Sequence, residues 1–116
     1  MPNIQMSYTT NLPAQDQLEA FALSVHNLVA PVVVTDVGNF KTFFNPVVRY
    51  AAGAGNTLKA FLLIDFRMLP GRTPEVKKEA ADIILAQAAK YFSVANGVET
   101  SITVEIGTID KENYHK

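Results

Sequence analysis

A chain of 116 residues with a formal net charge of −1 predicts one domain, large enough for a real core and too small for two. With 48% apolar and 18% charged residues it is not a disordered chain, and neither the near-neutral charge nor any basic cluster offers nucleic acid a footprint. The absence of cysteine excludes a disulfide framework and thiolate chemistry.

Residues 3–8 alternate, Ile4, Met6 and Tyr8 against Asn3, Gln5 and Ser7, which predicts a strand with one buried face starting almost at the first residue. Residues 9–13 carry turn chemistry. From Pro13 to Ala30 the apolar Leu18, Phe21, Ala22, Val25, Leu28 and Val29 recur at helical spacing, and Pro31 is expected to end that helix. The β-branched Val32–Val34 suggests a brief pairing in a sheet, followed by a loop around Gly38 up to Lys41. Phe43–Ala52 reads as a second strand, with Pro46 placing it at an edge or a bulge. Gly53–Thr57 is a glycine-rich turn without the spacing of a phosphate-binding loop.

Ala60–Leu69 is the clearest strand. Ala60, Leu62, Ile64, Phe66 and Met68 fill one face, while Phe61, Leu63, Asp65 and Arg67 grade from apolar to polar on the other. Pro70-Gly71 turns the chain, and Thr73-Pro74 supplies a helix cap and a first-turn proline. Val76, Ala80, Ile83, Ile84, Ala88, Tyr91 and Phe92 form the inner stripe of the helix that follows, and Asn96-Gly97 closes the segment. Ser101–Thr108 alternates again, and 110–116 is a polar tail.

The order β-α-β-β-α-β divides into two similar halves, about 2–52 and 59–110, within a single domain. Right-handed crossovers then give an α+β fold, a four-stranded mixed sheet with both helices on one face. Phe61 and Leu63 point to the uncovered face, and another subunit is the expected cover. No apolar run reaches membrane-spanning length and no signal peptide is legible, so a cytoplasmic protein without membrane or nucleic-acid partners is expected. His26 and His115 are far apart, with no carboxylate at ligand spacing, and predict no metal site.

Two fold families share this string of elements, the ferredoxin-like sandwich and the tautomerase superfamily. Met1-Pro2 followed directly by a strand, and Leu69-Pro70-Gly71-Arg72-Thr73 leading into a charged helix, resemble the second. The turn is similar to the Gly-Arg-Ser/Thr turn of 4-oxalocrotonate tautomerases, and the chain as a whole resembles the 5-carboxymethyl-2-hydroxymuconate isomerase family. The resemblance implies a trimer and a cofactor-independent keto-enol isomerisation of a small unsaturated mono- or dicarboxylic acid. Pro2, freed of Met1, would be the general base, and Arg72 would bind the substrate carboxylate. A second family arginine lies near the start of the second strand, where this sequence presents Lys41, or Arg49 if the gap is placed elsewhere. The alternative is an oligomeric small-ligand-binding protein of either fold without catalysis. Asp65 reads as a subunit contact, and Phe40, Phe43 and Phe44 as packing that could also wall a pocket beside Lys41.

Overall fold

The computed structural model describes residues 2–55, 59–92 and 97–115. Strand β1 (Asn3–Thr9) is followed by helix α1 (Leu18–Val33), β2 (Lys41–Val47), β3 (Lys59–Met68), α2 (Pro74–Tyr91) and β4 (Glu99–Thr108). The sheet order is β2-β1-β3-β4. Each half is a parallel β-α-β unit, β1 with β2 and β3 with β4, and the halves join antiparallel through β1 and β3, where Met6 lies opposite Ile64. In the ferredoxin-like arrangement the β-α-β units are split. Here β1 and β2 are direct neighbours, so that alternative is excluded.

The alternation in the sequence sets the layers. Ile4, Met6, Ala60, Leu62, Ile64, Phe66 and Met68 are buried under the helices and form one core with Phe21, Val25 and Val29 of α1 and Ala80, Ile84 and Ala88 of α2. Phe92 closes it edge-on against Phe21, with ring centroids 5.2 Å apart. The second face of the sheet stays open, with Phe43 and Leu63 half exposed. Phe61 is instead tucked under the Tyr50 ring, 6.0 Å away.

Helix α1 departs from the expectation at both ends. It starts at Leu18, after a 3₁₀ turn at Gln15–Gln17, and runs through Pro31 to Val33. Proline removes one hydrogen bond, to the carbonyl four residues earlier. That residue, Asn27, is exposed, so water can serve its carbonyl, while burial of Val29, Ala30 and Val33 holds the last turn on the core. Val32–Val34 is therefore helix and cap rather than strand. Leu28, expected in the stripe, is 45% exposed, and His26 takes an inner position instead. Strand β2 is shorter than expected but does sit at the sheet edge, where Pro46 is tolerated. The Thr73 cap is as read: its hydroxyl accepts from the Val76 amide at 3.2 Å, with Pro74 at the first helical position. The expectations for Thr57, Asn96 and Lys116 lie outside the described residues.

Candidate active site

Because β3 runs against β1, the starts of β1 and β2, the ends of β3 and β4, the end of α1 and the start of α2 all gather at one end of the sheet. Pro2 is buried there, and its carbonyl accepts the Lys41 amide at 3.2 Å. Asn3 lies between Lys41 and Arg67, so one step back along the register Pro2 lies between Phe40 and Met68, both buried. Alternation with Ile4 and Met6 turns Pro2 toward the helix side of the sheet.

Arg72 stands on the same side. Gly71 adopts φ 123°, which needs glycine, and this sharp bend sends Arg72 back toward α1. Its guanidinium donates from Nε to the Val33 carbonyl and from Nη1 to the Leu69 carbonyl, both at 3.1 Å. The first contact pairs one of the orphan carbonyls at the end of α1 and sets a cation at the negative end of that helix. Five N–H groups less these two leave three for a ligand. Arg72 lines a cleft of about 380 Å³ whose apolar walls are Val32, Val33, Val34, Pro70 and Val76.

Val34 is the odd residue of that cleft. It caps α1 at φ 56°, ψ 62°, a left-handed conformation in which β-branched side chains are outliers. Holding a non-glycine residue there costs roughly 1–2 kcal/mol. Val34 is nevertheless 84% exposed, so core packing does not offset the strain. Nothing in the hydrophobic pattern marks it. The only available signal was the missing glycine after a helix end.

The other two candidate cations do not join Pro2 and Arg72 on the helix side. Lys41 is at the same end of the sheet but on the open face, in a row with Asn3 and Arg67, because its neighbour Thr42 points to the helices. Arg49 follows the far end of β2, two residues beyond Val47, which itself stands about 20 Å from Lys41 along the strand. Lys77, in the first turn of α2, adds a cation at the Pro2 end and donates to the Thr108 hydroxyl at 3.2 Å. Asp65 pairs with Arg67 at 3.2 Å on the open face, with its second oxygen unpartnered. Of the three phenylalanines, Phe40 is buried against Phe66, Phe44 packs on the core edge and Phe43 faces outward.

His26 is buried between α1 and β2. Its Nε2 is 2.6 Å from the Thr42 hydroxyl, and its ring lies 5.2 Å from that of Phe40, the residue beside Pro2. Burial holds its pKa below the ordinary 6.5, so the ring is neutral at pH 7. His115 is exposed in the tail. Among the described residues no three His, Cys, Asp or Glu side chains are grouped to hold a metal ion, and no helix is long and apolar enough to cross a membrane.

A family model described as 5-carboxymethyl-2-hydroxymuconate isomerase matches residues 2–116. No curated protein matches the sequence significantly. Among solved structures, a 5-carboxymethyl-2-hydroxymuconate isomerase from Deinococcus radiodurans R1 is similar with a TM-score of 0.87 and 23% identity, over 99% of this chain and 87% of that one. A 5-carboxymethyl-2-hydroxymuconate delta-isomerase gives 0.82 and 19%, over 100% and 87%. A fused 4-OT symmetric trimer gives 0.76 and 18%, over 97% and 91%. At these identities the likeness is one of fold.

Proposed function

The chain belongs to the 5-carboxymethyl-2-hydroxymuconate isomerase family, and from that membership we propose that it isomerises a small unsaturated mono- or dicarboxylic acid between enol and keto forms without a cofactor. Membership supports an isomerase or tautomerase function as a class. In this reading Met1 is removed, and the secondary amine of Pro2 takes a proton from the enol oxygen or from a carbon beside the carbonyl. It then returns the proton at another carbon of the conjugated acid. The base must be neutral near pH 7. An ordinary α-amino group titrates at about 8, and a buried setting near cations disfavours its charged form further. Arg72 holds the carboxylate with the N–H groups that the Val33 and Leu69 carbonyls do not use.

The observation that carries this reading is the convergence of the Pro2 strand end and the Arg72 turn at one end of the sheet, on its helix side. Lys41 and Arg67, on the other face of the same end, are available to a neighbouring subunit's site. The open sheet face, with half-exposed Phe43 and Leu63, supports a homo-oligomer, and the likeness to a solved symmetric trimer favours three subunits. A cysteine-free chain suits a cytoplasmic setting.

Mass spectrometry of the natural N-terminus and assays with phenylpyruvate-like enols and hydroxymuconate-like diacids test the proposal. Protein lacking Met1 should turn over such an acid, and Pro2→Ala should lower kcat/KM by about 100-fold or more. Equal activity in protein that keeps Met1 would overturn it. A second reading, an oligomeric acid-binding protein without turnover, draws on the engagement of Arg72 with backbone carbonyls, which gives that residue a structural role of its own. It predicts binding of these acids with no proton exchange into solvent deuterium.

A further inference from the structure

We propose that Val34 is a specificity-determining residue, the apolar wall that selects acids carrying an apolar substituent at the Arg72 cleft. The inference rests on the reading of that cleft as the acid site. Three observations converge on this valine. Its backbone is left-handed, at φ 56°, where glycine or asparagine ends a helix with less strain. Its side chain is exposed, so neither burial nor a partner within the chain accounts for a branched apolar group. It also lines the clefts on both sides of the α1 end, one with Arg72 and Val76 and the other with Pro31, Asp36 and Asn39. A residue that breaks both the conformational and the burial preference, beside a cation with free N–H groups, is strained for a purpose other than folding.

The chemistry of the Arg72 cleft defines the ligand. One guanidinium sits among Val32, Val33, Val34, Pro70 and Val76, with no second cation among the described lining residues. A carboxylate takes the guanidinium, and an alkyl or aryl body lies against the valines. Since the C-terminal end of α1 carries partial negative charge, a second carboxylate at that wall is disfavoured. The cleft therefore suits an acid with one carboxylate and an apolar substituent, and the proposed isomerisation makes it a 2-oxo or 2-hydroxy acid.

The test compares pyruvate with phenylpyruvate in Met1-free wild type, Val34→Gly and Val34→Asn, by calorimetric binding and by proton exchange at the carbon beside the carbonyl. Both substitutions fit a left-handed cap and should raise Tm by a few degrees, on the order of 3–6 °C. Both should also cut the preference for phenylpyruvate over pyruvate by about tenfold. An unchanged preference, or a change in native mass showing that Val34 is a subunit contact, overturns the proposal. Binding that shows the Val34-dependent preference without exchange would leave the wall standing and remove the isomerase reading. Exchange without that preference would do the reverse, and failure of the wild type to bind either acid overturns both.

Discussion

Helix α2 starts with a Thr73 cap and Pro74 in its first turn, whereas α1 starts without a side-chain cap, after a 3₁₀ turn that itself begins at Ala14 with φ 59°. The contrast continues inside α1, where Pro31 interrupts the last turn, His26 is buried, and Val34 ends the helix in a conformation suited to glycine. The two halves share a topology and a core, yet the local rules of helix construction hold in one and are broken repeatedly in the other. The second half supplies a rigid bend that aims Arg72. The first supplies the strand end at Pro2 and the strained end of α1 that Arg72 closes. Departures from local preference thus gather on the first half, and one of them, Val34, lines the Arg72 cleft, where the proposed reading makes ligand contact its reason.

The strongest way to break this comparison is through the core the halves share. Phe66→Ala, in the middle of the sheet and fully buried, should cost about 3–5 kcal/mol. Calorimetry should still show a single transition, whereas two would mean that the halves are independent units. Next is Arg72→Ala, which strands the Val33 and Leu69 carbonyls and should cost about 1–3 kcal/mol in urea unfolding. Arg72→Lys should recover only part of that, since a point charge cannot span both carbonyls.

Thr73→Ala should cost about 1 kcal/mol. Gln17→Ala, at the start of α1, should cost nothing measurable, because its side chain makes no cap bond. Equal losses at the two sites would erase the contrast between the helix starts.

The smallest effect is a pH dependence. His26 is held below 6.5 by burial, so the unfolded chain takes up this proton first as pH falls. Its contribution is complete above about pH 6.5 and is lost as pH drops below that, until the folded-state value is reached. His26→Gln should flatten Tm against pH between 7.5 and 5 relative to wild type. Parallel curves would show that His26 is not the group responsible.

The strands, the helix order and the Thr73 cap were legible because period-two and helical stripes and a Thr-Pro signal are local. The course of α1 was not. Pro31 argues for a stop on local grounds, and the burial of Val29, Ala30 and Val33 in the core overrides it. Val32–Val34 misleads as a strand because β-branched residues favour strands, and nothing nearby shows that Arg72, 39 residues on, pairs the Val33 carbonyl. Lys41 and Arg49 were both admissible in sequence, since a gap can be slid along a strand. The register sends Lys41 to the open face and Arg49 to the far end, and neither follows from residue type. The expectation that Pro2 and the Arg72 turn lie at one end of the sheet was read from the resemblance rather than from any pattern in the residues. The antiparallel β1–β3 pairing is its physical cause.

A crystal structure of the Met1-free protein soaked with a small unsaturated acid tests the proposed site most directly. The account predicts one carboxylate on the guanidinium of Arg72 and the reacting carbon about 3–3.5 Å from the Pro2 nitrogen. An acid bound elsewhere, or a Pro2 nitrogen out of reach of an acid held by Arg72 in every subunit, would contradict it.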